Sequence, residues 1–331
     1  MKFLSHFSLP QSLCFFALIL FMVVILNGRN RSETKIGCSP SLKLPLGPWK
    51  LPIIGNLHQI LVGQPHQSLR DLAMKYGPLM HLQLGEISAI VVSSPDMAEQ
   101  IMKKHDINFA SRGELLAAEI VTYGYIDVGF SPYGDYWRQL RKIFSLELLS
   151  TKRVRSFRSL REEEMLNVIR NISSMAGSEI NISETIINFA NDVVVRATCG
   201  QKCKDKDVLI SSLKEVLKLA GGFDVADLFP SFTLLHAICG IKPKLESLQK
   251  KLDKIVESII EEHRETRSSK LIKTSSTSTD DHQLEGDLLD VLLRIQETGG
   301  GFEFPIATDN IKAVFMDIFS AGTDTSSSRV Q

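Results

Sequence analysis

The sequence predicts a mostly α-helical fold with a small β-sheet near its front. Three observations predict it. From Ser131 onward, apolar residues recur at helical spacing almost without a break. One short stretch, MHLQLGEISAIVV (Met80–Val92), alternates and then turns continuously apolar across Gly85-Glu86, the pattern of a hairpin with one well-buried strand. A composition 44% hydrophobic and 23% charged, over 331 residues, suffices for one large core or two ordinary ones.

The same numbers exclude several functions. Lys+Arg and Asp+Glu both total 38, so no basic field points to nucleic acid. Five cysteines, Cys14, Cys38, Cys199, Cys203 and Cys239, are sparse and odd in number, which argues for a reducing compartment and against a disulfide framework. Cys199-x3-Cys203 lacks a second pair to complete a zinc site, and there is no HExxH. No GxxxxGK loop is present, and Gly299–Gly301 lacks the strand-to-helix setting of a dinucleotide fingerprint.

Taken in order, the elements begin with FSLPQSLCFFALILFMVVIL (Phe7–Leu26), a stretch apolar enough to cross a bilayer. About twenty residues at ~1.5 Å each span the ~30 Å hydrocarbon core. Arg29, Arg31 and Lys35 follow it against Lys2 before it, so the body is expected on the cytoplasmic side of a retained anchor over residues 1–35. A cleaved signal peptide is the competing reading; it would expose Asn171-Ile-Ser and Asn181-Ile-Ser to glycosylation, which we expect not to occur. Residues 36–60 form a hinge: LPLGPWKLPIIGNLHQI (Leu44–Ile60) sets Pro45, Pro48 and Pro52 among glycines and is expected to be stiff, extended and non-helical. Residues 61–331 are the body.

Within the body, SLRDLAMKY (Ser68–Tyr76) has helical spacing, and Ser94 with Pro95 makes a clear helix start. Helical segments follow around Trp137, from Arg153 to Ile172, from Ser183 to Thr198 with Gly200 as C-terminal cap, and from Lys244 to Glu265. RSSKLIKTSSTSTDDHQLEG (Arg267–Gly286) is Ser/Thr-rich and polar and is expected to be a loop before GDLLDVLLRIQE resumes as helix.

Two stretches carry residues suited to chemistry. In DYWRQLRK, Trp137 and Arg141 are four apart and share a helix face, where an indole N–H and a guanidinium can donate to one anionic acceptor. A packed tryptophan beside a surface arginine is the ordinary alternative. Arg138, Arg141 and Lys142 also make the stretch basic enough to meet an acidic partner surface. In TDNIKAVFMDIFSAGTDT, Ile311, Val314, Phe315, Ile318, Phe319 and Gly322 form one stripe. Thr325 falls about 40° from that stripe and Asp324 about 140° away, so the hydroxyl faces the apolar side and the carboxylate the other. Gly322 leaves room for a flat ligand or small gas molecule, and hydroxyl plus carboxylate make a proton relay. A capping, fraying helix end explains the same residues without chemistry.

In order, the anchor, the hinge LPLGPWKLPIIGNL, FASRGE, WRQLRK, GDLLDVLLRIQE and AGTDTS resemble the plant microsomal cytochromes P-450, membrane-anchored haem-thiolate monooxygenases, and in particular the terpenoid-hydroxylating, premnaspirodiene-oxygenase-like group. The hinge departs slightly from the family's double proline. The resemblance implies the front portion of the cytochrome P-450 fold and an endoplasmic reticulum location. It assigns a haem propionate to Trp137 and Arg141, the haem's distal face to Ala321 and Gly322, and proton delivery to dioxygen at the iron to Thr325 with Asp324 behind it. Partners would be an NADPH-dependent flavoprotein reductase, O2 and a small hydrophobic plant metabolite, with alkaloids as the alternative to terpenoids. Positions near Glu114–Val128, around Leu209–Phe223 and on the last helix would shape the substrate pocket.

The resemblance covers only the front of the family pattern. No FxxGxRxCxG loop is present, so no cysteine here is offered as axial ligand, and Glu261-Glu-His-Arg264 matches the family's ExxR by spelling alone. The chain is therefore expected to be a truncated, alternatively spliced or incompletely predicted product without normal oxygenase activity, exposing the stripe Ile311–Phe319. A non-catalytic, membrane-anchored binding protein is the second reading, and a secreted helical glycoprotein the third.

Overall fold

The computed structural model of the protein describes residues 44–200, 203–221, 224–232, 240–273 and 286–328. Side chains of 270–273, Thr323, Asp324 and 326–328 also lie outside the description, as does the expected anchor Phe7–Leu26. Among the described residues no helix is long and apolar enough to cross a membrane. The chain divides into two compact units, one up to Ala98 and one from Glu99.

In the first unit, β1 (Leu79–Leu84) and β2 (Ile87–Val92) pair antiparallel in the register Leu79↔Val92 to Leu84↔Ile87, leaving Gly85-Glu86 as the turn. Gly85 takes φ 60°, a left-handed value that favours glycine. The buried strand is the alternating one. Met80 and Leu82 on β1 close a small core with Ile60 and with Leu69, Leu72 and Tyr76, the last three from α1 (Pro65–Tyr76), whereas Ile87 and Ile90 of the more apolar β2 are exposed. One face of the ribbon is covered by α1, so period-two alternation reports burial better than total apolarity does.

The proline-rich segment departs from expectation. Residues 44–50 take no regular secondary structure, but Leu57–Ile60 make a turn of helix, and the segment is fastened to β1. His81 donates its N–H to the Leu46 carbonyl at 3.1 Å. The Asn56 amide donates to the Trp49 carbonyl at 3.0 Å while its oxygen accepts from Gln83 N at 2.8 Å. Gly47 lies so close that a Cβ there would sit 2.0 Å from the His81 carbonyl oxygen. The segment is a docked edge rather than a free spacer.

The second helix, α2 (Pro95–Glu99), is capped as expected, Ser94 Oγ accepting from Met97 N at 3.3 Å, and a π turn follows at Gln100–Lys104. The second unit is helical: α3 (Leu116–Val121), α4 (Asp135–Ile143) running into a π turn at Phe144–Leu148, α5 (Arg158–Ser174), α6 (Ile182–Cys199), α7 (Lys206–Ala220), α8 (Ile241–Lys273), α9 (Leu288–Thr298) and α10 (Thr308–Ser328). Their ends follow from local chemistry. Asn181 caps α6 and Gly200, at φ 68°, closes it with its N–H on the Arg196 carbonyl. Asp287 and Asp290 form a reciprocal capping box at α9. The Ser-rich stretch read as loop from Arg267 is helical through Lys273, because Arg267 bonds the Asp290 carbonyl and Glu297 across to α9 and carries α8 onward; 274–285 lie outside the described residues.

The core of this unit gathers α4, α6, α7, α8 and α9 around α10. Ile311, Val314, Phe315 and Phe319 are 0–2% exposed, and the Phe315 and Phe319 rings stack at 4.4 Å. The expectation that the stripe Ile311–Phe319 would lie exposed is overturned. Helices α6, α8 and α9 cover it, and each fully buried phenylalanine contributes about 2–3 kcal/mol.

Candidate functional site

Helix α4 places Trp137 half-buried and Arg141 exposed on one face, as the four-residue spacing requires. The guanidinium carbon lies 5.7 Å from the centre of the indole ring, a cation–π contact. The indole N–H does not point at an open anion site. It donates to the Val128 carbonyl at 3.1 Å, and Tyr133 packs beside the ring at 5.5 Å. No carboxylate among the described residues pairs with Arg141, whereas its neighbour Arg138 is bonded to Asp135. Of the two, Arg141 is the group free to receive an anion, and Trp137 is the surface that steadies it.

The last turns of α10 carry the other predicted residues. Ala321 and Thr325 are exposed, and the Thr325 hydroxyl donates to the Ala321 carbonyl one turn back. Such back-bonding draws a carbonyl away from the helix ladder and bends a helix locally. Gly322 is half-buried, and its absent side chain serves packing: a Cβ there would lie 2.7 Å from Val194 Cγ2 on α6. The space reserved for a ligand or gas molecule at Gly322 is thus taken by a neighbouring helix. The side chain of Asp324 lies outside the described residues.

Of the stretches expected to line a substrate pocket, α3 and α7 pack against α8 and each other, with Leu209, Leu213 and Val216 buried. Leu116 N donates to Asp227 at 2.8 Å and the Tyr125 hydroxyl to the Leu115 carbonyl at 3.1 Å, closing this region. Residues 222–223 lie outside the described residues.

A family model described as Cytochrome P450 matches residues 45–331. The chain belongs to the cytochrome P450 family. It is 50% identical over 290 residues to premnaspirodiene oxygenase of Hyoscyamus muticus, covering 88% of this chain and 56% of that protein. It is 48% identical to 5-epiaristolochene 1,3-dihydroxylase of Nicotiana tabacum (87% and 56% covered) and 48% identical to desmethyl-deoxy-podophyllotoxin synthase of Sinopodophyllum hexandrum (100% and 61% covered). The chain thus spans about three-fifths of the length of these relatives. A zebra fish cytochrome P450 structure with progesterone shares the fold at a TM-score of 0.61 and 21% identity, over 80% of this chain and 58% of that one.

The cytochrome P450 family implies haem. Arg141, exposed, stacked and without a carboxylate partner among the described residues, has the chemistry to receive a carboxylate such as a haem propionate; Trp137, with its N–H already donated, offers only a packing surface. Cys199 is buried in the core, where burial pushes its thiol far up, and burial also raises Cys203. Cys14, Cys38 and Cys239 lie outside the described residues.

This cytochrome P450 chain also holds polar groups that its sequence did not single out. Cys199 and Cys203 border a cavity of about 690 Å³ with Arg196, His263, Asp287 and Asp290. His263 Nδ1 faces the Ile259 carbonyl at 2.8 Å and Nε2 the Asp287 carboxylate at 2.9 Å. Two acceptors on one imidazole call for two N–H groups; although burial opposes charge, the Asp287 carboxylate wins and raises the His263 pKa. Ligand atoms of His263, Asp287 and Asp290 lie within 4.8 Å of one another, but both carboxylates are occupied by the capping box. The ExxR look-alike is structural too: Arg264 bonds Gln296 and Thr308, both at 3.0 Å.

Lys312, almost fully buried on α10, reaches Asp253 at 2.7 Å and Glu257 at 2.5 Å on α8. The Tyr123 hydroxyl donates to the same Asp253 at 2.7 Å. This knot fixes the entry of α10 against α8. Nothing local marks it in the sequence, beyond a lysine amid apolar neighbours.

Proposed function

We propose that the chain forms part of a membrane-anchored, haem-dependent monooxygenase that inserts one oxygen atom of O2 into a small hydrophobic, terpenoid-like plant metabolite. Electrons would come from an NADPH-dependent flavoprotein reductase. The observation that carries this reading is the Thr325 hydroxyl turned onto the Ala321 carbonyl at the exposed end of an otherwise buried helix. A hydroxyl that donates to a backbone oxygen leaves its lone pairs open to a hydrogen bond from water and, on turning, can give its own proton up as it takes the water's.

Bound haem would supply the oxygen-activating redox chemistry. Arg141 would pair with a propionate through its guanidinium, and Trp137 would hold that guanidinium in place by its ring face. Thr325 would hold a proton at Oγ1 beside the reacting oxygen, and Asp324 would exchange that proton with water. The basic face Arg138–Arg141–Lys142 would meet the acidic surface of the reductase, and residues 1–35 would tether the body to the endoplasmic reticulum.

The substrate class follows from relatives whose names specify premnaspirodiene, 5-epiaristolochene and amorpha-4,11-diene. Another relative is named for tabersonine, which keeps an alkaloid as the competing class. Titrating the haem-loaded chain with a sesquiterpene hydrocarbon and, separately, an indole alkaloid tests this. A saturable change in the haem spectrum with the hydrocarbon supports the proposal, and a response to the alkaloid alone reverses the substrate class. Failure to take up haem favours a membrane-anchored binding protein.

A further inference from the structure

The loop between α3 and α4 meets the middle of α10 through two carboxyl groups far apart in sequence. Asp317 Oδ2 accepts the Val128 N–H at 2.7 Å, across 189 residues. Asp127, fully buried, accepts the Phe130 N–H on its Oδ2 at 3.1 Å. Gly129 sits against both: a Cβ there would lie 3.1 Å from Asp127 Oδ2 and 3.3 Å from Asp317 Oδ1. That leaves Asp127 Oδ1, buried and without a donor. The shared contact with Gly129 sets the Asp317 carboxyl next to that of Asp127, close enough for the two acids to interact. Two carboxylates can bond only through a proton, and a buried oxygen without a donor is costly.

Val128 carries the connection further. Its N–H is held by Asp317 on α10, and its carbonyl holds the Trp137 indole on α4. A parallel strap runs alongside: the Tyr136 hydroxyl donates to the Ile126 carbonyl and accepts from Asn310 on α10, both at 2.7 Å. We propose that Asp127 and Asp317 share one proton, and that this acid pair is a latch positioning Val128 and, through it, Trp137 and the Arg141 face of α4. The latch stands on the geometry alone; its value for haem binding rests on the proposed function.

Burial and the neighbouring charge raise Asp317, and burial raises Asp127, in keeping with a retained proton. Tyr136 is the titratable group facing both from α4, itself raised by burial and so neutral, and the Thr122 hydroxyl faces Asp127.

The test uses the full chain with Trp49→Phe, leaving Trp137 as the single tryptophan of the two. Infrared spectra should show a protonated carboxyl band at neutral pH that disappears in Asp317→Asn. An asparagine can donate to Asp127 and accept from Val128, so Asp317→Asn should keep the Trp137 emission of its parent. Asp317→Leu should shift that emission towards the solvent-exposed value. Absence of the acid band in the parent, or equal disturbance of Trp137 by Asn and Leu, overturns the latch. Should Asp317→Leu not fold, the band and the Asn rescue still decide it. A parallel haem titration separates the two claims: loss of haem binding with band and emission intact counts against the haem reading only. If both stand, Asp317→Leu should weaken haem binding about tenfold and Asp317→Asn should not.

Discussion

Gly322 on α10 lies directly against Val194 on α6, so that a methyl group added at 322 would fall 2.7 Å from Val194 Cγ2. A β-branched valine inside a helix has little rotamer freedom to move aside. Gly322→Ala should therefore destabilise the chain by about 1 kcal/mol, overpacking outweighing the helix propensity gained. In a Val194→Ala background the sign should reverse, since only the propensity gain remains. Urea unfolding of the four chains measures the coupling.

Lys312 stands between Asp253 and Glu257, each about a third exposed. Burial disfavours its charge, but the two carboxylates prevail and raise its pKa. Lys312→Met should cost about 2 kcal/mol, below the usual figure for a fully buried pair because the carboxylates remain partly solvated. The deficit should shrink in acid, where Asp253, which Lys312 and Tyr123 hold below its usual value against the opposing effect of burial, takes up a proton. A deficit unchanged at low pH would mean that packing of the lysine stem, not charge, holds the junction.

The shared proton gives a pH dependence of definite sign. A carboxyl raised in the fold contributes its full stability below the ordinary value of 3.8 and loses it as pH rises towards the raised value, about 8 for Asp317. Stability attributable to this site should decline across that window. Asp317→Asn has no proton to lose, so its stability relative to the parent should improve steadily as pH rises across that window. Denaturant midpoints at four or five pH values suffice. Parallel curves for the two chains would contradict the shared proton.

Periodicity made α10 legible, and with it the burial of Phe315 and Phe319, but not the helix that covers them: the stripe is a property of one segment, its partner α6 of the whole topology. The spacing of Trp137 and Arg141 located a face. It could not show that a loop carbonyl nine residues upstream takes the indole N–H, because a backbone acceptor leaves no residue signature. For the same reason prolines announced the non-helical run at 44–50 while its docking through His81 N to Leu46 went unmarked. Asp127 and Asp317 look like two ordinary loop and helix acids until folding brings them together. The Ser-rich composition after Arg267 suggested a loop, yet long-range bonds from Arg267 extend the helix. Side-chain partners across tens of residues override local propensity in such places.

The central claim is that Arg141, steadied by Trp137, is the anchor for a haem carboxylate. The most direct measurement is an absorbance titration of the full chain with haem, in parallel with Arg141→Ala and Arg141→Lys. Saturable binding that weakens about tenfold or more in Arg141→Ala, with partial recovery in Arg141→Lys, is the expected result. Equal affinity in all three chains, or no saturable binding by the parent, would contradict it.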